Sequence, residues 1–117
     1  MATLTPSLTL TSTDTTSDTL SFTVDDSLTI SGDIIGPSRV TTSTSDLTLL
    51  ANGSYTKSYV YLKNTDSSIA INVDIGTQIS IELGAGEFAF FPWESSADIV
   101  VASASGTPVL EYAVYEA

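Results

Sequence analysis

The chain contains no cysteine and no histidine among its 117 residues. Without cysteine there is no disulfide, no thiolate metal ligand and no cysteine nucleophile. Without histidine, the serine–histidine–aspartate triad and the usual transition-metal sites are excluded as well. The sequence therefore predicts a protein that is not an enzyme, that holds no cofactor or metal, and whose fold rests on packing and backbone hydrogen bonds.

Basic residues are almost missing too. Arg39, Lys57 and Lys63 stand against 14 acidic residues, which gives a net charge of -11. Such a surface repels a phosphate backbone and an anionic membrane at long range. We therefore expect no direct nucleic-acid partner and no membrane partner, and the charge favours a protein partner or serves solubility.

Long apolar runs are absent as well. Hydrophobic residues make up 42% of the chain, but they occur in short groups and never in the run of about 18 that a bilayer requires. The first residues lack the basic segment and apolar run of a secretory signal. The length fits one folded domain over residues 1–117, and residues 1–6 are expected to form a mobile N-terminal arm.

Helical periodicity is not found, and apolar and polar residues alternate with period two instead. Turn residues interrupt this alternation roughly every 8 to 12 residues. We therefore predict an all-β fold, an antiparallel β-sandwich of jelly-roll-like type with about nine or ten short strands. The predicted strand segments include residues 8–10, 20–24, 28–30, 55–63, 69–75, 79–83, 87–91, 99–103 and 109–115, and the clearest are 69–75 and 79–83.

Two turn signals organise the middle of the chain. Gly32 and Pro37 bound a predicted loop, and Asn52-Gly53 predicts a hairpin that joins the Thr-rich stretch 40–50 to residues 55–63. Asn-Gly is favoured there because a tight hairpin turn requires positive φ angles. The pattern Asn52-Gly53-Ser54 also fits an N-glycosylation site, but the turn explains it better.

The carboxylates offer the remaining chemistry. Glu82, Glu87 and Glu94 are candidates for the pair of acids that a glycoside hydrolase uses, although acidic residues in such a chain usually face solvent. The pairs Asp25-Asp26 and Asn64-Asp66 lie in turns, and each supplies fewer oxygens than a calcium loop. We predict neither a catalytic nor a metal site from these residues.

Aromatic residues cluster in the stretch LGAGEFAFFPW, residues 83–93. On a strand, Phe88 and Phe90 share one face while Phe91 takes the other, so one aromatic face is core and the second is a lid, a ligand shelf or a docking surface. A tyrosine stripe opposite Val60 and Leu62 favours an exposed surface, either a sugar shelf or an interface between subunits, and the subunit interface ranks first because a small sandwich gains stability from oligomerisation. The candidate interface residues are Tyr55, Tyr59, Tyr61, Phe91, Trp93 and Tyr115.

Four motifs carry a resemblance to a known family: YLKNTDSS, LGAGEFAFFPW, ADIVVAS and LEYAVYE. They lie within residues 59–116, which resemble the C-terminal part of small virion structural proteins of tailed bacteriophages. The first half of the chain resembles the same proteins more loosely. None of the four motifs contains a catalytic constellation, so the resemblance also implies a protein without enzymatic activity.

The resemblance implies a β-sandwich that assembles as a homo-oligomer, often a trimer, without a cofactor. It further implies a capsid decoration, or cement, protein that is made in the host cytoplasm and binds the major capsid protein on the outer capsid surface of the virion. The alternative is a carbohydrate- or receptor-binding module of a phage tail fibre or baseplate. In that case Phe91, Trp93 and the stripe formed by Tyr55, Tyr59 and Tyr61 would form a platform for a sugar.

Overall fold

The computed structural model describes residues 2–13, 20–30 and 34–117. Every regular element in these ranges is a strand, and every strand pair is antiparallel, so the all-β antiparallel prediction is confirmed. The chain divides into two units, Met1–Ser31 and Gly32–Ala117. The assignment of residues 1–117 to a single domain stays a prediction.

Unit 1 contains two small sheets. Its strands are β1 (Ala2–Leu4), β2 (Ser7–Ser12), β3 (Leu20–Asp25) and β4 (Leu28–Ile30). Strand β1 pairs with β4, and β2 pairs with β3. Part of the predicted N-terminal arm is therefore a paired strand, since Ala2 lies opposite Ile30 and Leu4 opposite Leu28.

Unit 2 contains two four-stranded sheets. Sheet I has the order β10-β7-β12-β5, and sheet II has the order β6-β11-β8-β9. The strands are β5 (Ile34–Thr41), β6 (Leu47–Leu50), β7 (Ser58–Asn64), β8 (Ile71–Ile75), β9 (Ile79–Leu83), β10 (Phe88–Trp93), β11 (Ile99–Ser103) and β12 (Val109–Glu116). The described ranges thus hold twelve strands against the predicted nine or ten, because β1 and β5 were not expected.

The core of unit 2 follows directly from the period-two pattern. In β7 buried and half-buried residues alternate strictly, and Val60 and Leu62 are fully buried. The same alternation buries Val73 of β8 and Val101 of β11. Burial of each such side chain contributes about 1.5–3 kcal/mol. One hydrophobic cluster draws on both sheets: Leu50, Val60, Leu62, Ile71, Val73, Leu83, Trp93, Ile99, Val101, Leu110 and Val114.

The predicted hairpin at Asn52-Gly53 is wrong, although the turn itself is present. Strand β6 belongs to sheet II and pairs with β11, whereas β7 belongs to sheet I. Gly53 has a φ of 74°, and its N–H donates to the Ser95 carbonyl at 2.9 Å. The chain reverses locally as expected, but it crosses from one sheet to the other, because turn chemistry does not select a strand's partner.

The predicted loop at residues 32–37 is wrong from Ile34 onward, where β5 begins. Pro37 is accepted in a strand because β5 is the edge strand of sheet I, where a missing N–H costs no ladder bond. Gly36 has a φ of 89° opposite a register shift in β12, and a Cβ there would approach the Tyr112 carbonyl oxygen to 2.5 Å. This close approach requires glycine.

Candidate functional site

The most unusual surface in unit 2 is the side of sheet I that faces away from the core. Strand register places Phe88, Phe90 and Pro92 of β10 beside Lys63, Tyr61 and Tyr59 of β7. Tyr115 lies opposite Tyr59 on the next strand, and Ile34 lies opposite Tyr115. We call this surface the aromatic face: Ile34, Tyr59, Tyr61, Phe88, Phe90, Pro92 and Tyr115.

Large apolar side chains of the aromatic face are open to solvent. Phe88 is 58% exposed, Ile34 54% and Phe90 38%. The rings of Tyr59 and Phe90 stack with their centroids 6.4 Å apart and their planes at 18°. An outer sheet face normally carries polar residues, so this group of exposed apolar side chains makes the aromatic face a candidate interaction surface.

A row of charged residues crosses the same face. Glu111 is the cross-strand neighbour of both Lys63 and Arg39, and Arg39 Nε lies 3.4 Å from Glu111 Oε2. The Tyr61 hydroxyl donates to Glu111 Oε1 at 3.0 Å. Two of the three basic residues of a chain with net charge -11 therefore lie here with one carboxylate between them. This face lacks the excess negative charge of the chain.

The hydroxyl of Tyr61 should ionise at a higher pH than that of an ordinary tyrosine. Burial raises the pKa of Tyr61 above 10.0, and the hydrogen bond to Glu111 and the charge of Glu111 raise it further. Because the pKa is raised in the folded state, this contribution to stability is fully present below about pH 10 and is lost as pH rises through the folded pKa.

We expect Tyr61→Phe to remove an alkaline step from the phenolate absorbance titration, and Glu111→Gln to move that step to lower pH. An unchanged titration in both variants would contradict this assignment.

The candidate interface residues separate into two groups. Tyr59, Tyr61 and Tyr115 lie on the aromatic face, where their role as interface residues stays a prediction. Trp93 is only 3% exposed, and its Nε1 donates to the Ala97 carbonyl at 3.0 Å.

The remaining two candidates also face inward. Phe91 lies opposite Val60 and packs against the core, and Tyr55 precedes β7 and meets Trp93 edge-on at 6.2 Å. The stretch 83–93 therefore supplies both core and surface. Trp93 and Phe91 are turned towards the core, and a sugar platform that includes Tyr59 and Tyr61 stays a prediction.

The sequence did not show that Phe88 and Phe90 lie on the exposed side of β10. Alternation correctly placed them together on one face, but β10 has an aromatic residue on each side. Their orientation depends on the register of β10 against β7, which starts with Phe88 opposite Lys63. The signal that was present is the small Ala89, which shares the inner face with Phe91 and leaves room for the core.

Asn64 fixes that register. Its side chain is fully buried at the end of β7, and its Nδ2 lies 2.7 Å from the Ile69 carbonyl, 3.0 Å from that of Leu83 and 3.1 Å from that of Gly84. Its backbone N–H donates to the Glu87 carbonyl at 2.9 Å, and its carbonyl accepts from Gly86 N–H at 3.0 Å. Asn64 thus joins the end of sheet I to the chain that leaves sheet II and enters β10.

The three acidic candidates lie on separate segments of unit 2. Glu82 lies on β9 opposite Asn72, whereas Glu87 lies in the turn that leads into β10, with its carboxylate over Gly84. This turn joins β9 of sheet II to β10 of sheet I. Glu94 is exposed beyond the end of β10. The three carboxylates thus belong to a strand, a turn and a loop, respectively.

In the two oxygen-rich turns, the carboxylates of Asp26 and Asp66 accept hydrogen bonds from nearby backbone N–H groups. Asp66 Oδ2 accepts N–H groups of Ser68 at 2.9 Å and Ile69 at 2.8 Å, and these bonds lower the pKa of Asp66 below 3.8. Asp26 Oδ1 accepts the N–H of Ser27 at 2.7 Å. Within residues 2–13, 20–30 and 34–117, no group of three or more His, Cys, Asp or Glu side chains is arranged to hold a metal ion.

An open depression of about 770 Å³ lies at the end of unit 2, between the β8–β9 turn and the loop that follows β10. Ser95 lies in that loop with a φ of 65°, and its buried Oγ has no hydrogen-bond partner in the described part of the chain. Ser95 does not line the depression, however, and the lining includes exposed Gln78 and Glu94. The aromatic face is therefore the stronger candidate site.

None of the described residues forms a helix long and apolar enough to span a membrane. Comparisons of this chain with protein-family models, with curated proteins and with solved structures give no match.

Proposed function

We propose that this protein is a non-enzymatic virion structural protein, a capsid decoration protein that binds the major capsid protein on the outer shell of a tailed bacteriophage. The aromatic face is the observation that carries the proposal, as the surface that docks on the shell. In the same proposal, unit 2 is a jelly-roll-like β-sandwich formed by sheets I and II, and the protein acts as a homo-oligomer.

The composition of the aromatic face supports docking to a protein. Tyr, Phe and Arg are enriched in protein interfaces, and charged residues are depleted from their centres. Tyr59, Phe90 and Arg39 belong to these enriched classes, and Glu111 already pairs with Arg39 and Tyr61. Docking this face therefore buries aromatic area without leaving the Glu111 carboxylate unpaired.

The location of the family resemblance supports the same surface. Residues 59–116 span most of β7 and all of β8 to β12, so they supply three of the four strands of sheet I. The motif LGAGEFAFFPW contains both Phe88 and Phe90, and the motif LEYAVYE contains Tyr115. The quoted motifs thus include much of the aromatic face.

The decoration protein would stabilise the shell by binding only to its closed form. A ligand that binds the closed shell and not the opened one stabilises the closed shell in proportion to the logarithm of its concentration over Kd. An oligomer that contacts several capsid subunits gains avidity from contacts that are moderate individually. The decoration protein would thereby raise the temperature at which the shell opens.

The test is co-sedimentation with emptied shells of the virus that carries this protein, together with the opening temperature of those shells. We expect Phe88→Ser combined with Phe90→Ser to weaken binding at least about 30-fold, the effect of losing an interface hot spot. Ile79→Ser is the matched control, because Ile79 is 53% exposed on sheet II. It should bind as the wild type does.

Two outcomes would contradict the proposal. Shells that open at the same temperature with and without the protein would remove the decoration function. Binding to glycans, with no binding to shells, would favour the tail-fibre module instead, and the stacked pair Tyr59 and Phe90 would then be the first residues to test for sugar contact.

A further inference from the structure

Unit 1 presents a second apolar surface, on the two-stranded sheet formed by β2 and β3, which we call the β2–β3 ribbon. Its cross-strand pairs Leu8–Val24 and Leu10–Phe22 lie on one side. These four side chains are between 42% and 49% exposed. The other side carries hydroxyls, among them Thr9 Oγ1 and Thr23 Oγ1, which lie 3.3 Å apart. The ribbon is thus strictly two-sided.

A ribbon of this kind requires a covering partner. Two antiparallel strands alone are marginally stable in water and become stable when a hydrophobic face is packed against another element. The hydroxyl side is suited to water, whereas the side with Leu10 and Phe22 is not. The apolar side is therefore the one that a partner covers.

The charge distribution favours a second copy of the chain as the partner. Two copies of a chain with net charge -11 repel each other, so they associate most readily through a surface without carboxylates. Residues 7–12 and 20–24 contain no charged residue, and Asp25 lies at one end of the ribbon. The β2–β3 ribbon therefore offers a surface without carboxylates on which two negatively charged copies can meet.

The side-chain sizes are also self-complementary. A two-fold axis that passes between the two cross-strand pairs places the bulky Leu10–Phe22 pair of one copy against the smaller Leu8–Val24 pair of the other. Large side chains then meet small ones at both ends of the contact, as close packing between two sheets requires.

We propose that the apolar side of the β2–β3 ribbon is a homotypic interface, covered by the same ribbon of a second copy of this chain. This assignment is independent of the proposed function, because it uses unit 1 and leaves the aromatic face of unit 2 for another partner.

Cross-linking tests the geometry directly, since the chain has no cysteine and an introduced thiol is the sole one. Leu8→Cys places the thiol on the apolar side, and Thr9→Cys places it one residue away on the hydroxyl side. With a short bis-maleimide at micromolar protein, we expect Leu8→Cys to give a covalent dimer as its main product and Thr9→Cys to give little. Equal yields, or no dimer from Leu8→Cys, would overturn the proposal.

The mass in solution provides the second test, by light scattering over a range of concentrations. We expect Leu10→Thr combined with Phe22→Thr to weaken self-association at least about 100-fold, since threonine keeps strand propensity while the apolar area is lost. Thr23→Ser on the hydroxyl side is the control and should keep the wild-type mass. A wild-type chain that stays monomeric at about 100 μM, well above a micromolar Kd, or a double variant with unchanged mass, would overturn the interface.

The two proposals fail separately. Loss of shell binding in the Phe88 and Phe90 variants with an unchanged oligomer would support the aromatic face and leave the ribbon as the homotypic contact. Loss of the oligomer in those same variants would instead place the contact between copies on unit 2 and overturn the ribbon assignment.

Discussion

Trp93→Ala is expected to lower the free energy of unfolding by about 3–5 kcal/mol, the cost of removing a large aromatic side chain from a core. Trp93 is 3% exposed, its ring meets Tyr55 edge-on, and its Nε1 donates to Ala97. Phe88→Ala should change the same quantity by no more than about 0.5 kcal/mol, because a surface substitution leaves no cavity. Equilibrium denaturation in urea, followed by far-UV circular dichroism, measures both.

This pair of variants separates core from surface within one strand. Trp93 ends β10 and Phe88 begins it, so a general loss of the strand would affect both variants equally. Equal destabilisation would contradict the division of residues 83–93 into an inner and an outer face. A stable Trp93→Ala variant that fails only in binding would reverse the assignment and return Trp93 to the interface.

Asn64→Asp should destabilise the protein by at least about 3 kcal/mol, although the two side chains have nearly the same shape. The substitution replaces the Nδ2 donor, which lies within 3.1 Å of three carbonyl oxygens, by an acceptor. It also introduces a carboxylate into a fully buried position. A buried unsatisfied group costs about 1–3 kcal/mol, and a charged one costs more.

Asn72→Asp is the matched control, because Asn72 is exposed on β8 and the change should cost no more than about 1 kcal/mol, from like-charge repulsion with Glu82 on the neighbouring strand. The loss at position 64 should shrink at acidic pH, since burial raises the pKa of the new carboxyl group and its protonated form can donate one hydrogen bond. The sign follows from linkage: a raised folded-state pKa makes stability fall as pH rises through it. A loss independent of pH, or equal at positions 64 and 72, would contradict the role of Asn64.

Strands could be predicted where apolar and polar residues alternate along the chain, so that only one side of the strand is apolar. In β7, Val60 and Leu62 alternate with residues that carry a hydroxyl or a charge, so both the strand and its buried face follow from the sequence. Strand partners were not predictable, because Asn52-Gly53 and the turn at Gly84 and Gly86 specify a local reversal only. Both turns join one sheet to the other, and that crossing depends on contacts distant in sequence.

The candidate site was predictable in part for the same reason. Tyr59 and Tyr61 were assigned to the outer face because their neighbours Val60 and Leu62 are unambiguously apolar. In β10 both faces carry phenylalanine, so alternation alone does not say which one is core. The answer depends on the register that Asn64 imposes through Gly86 and Glu87, which is a tertiary contact.

The position of β12 in sheet I has a consequence for how the chain is made. This strand lies between β7 and β5, although it is the last of the three to leave the ribosome. Until Glu116 has emerged from the exit tunnel, β5 and β7 each carry a row of unsatisfied N–H and C=O groups along the edge that β12 will occupy. Sheet I is therefore completed only after β12 has left the exit tunnel, and until then the nascent chain is open to mispairing at these two edges.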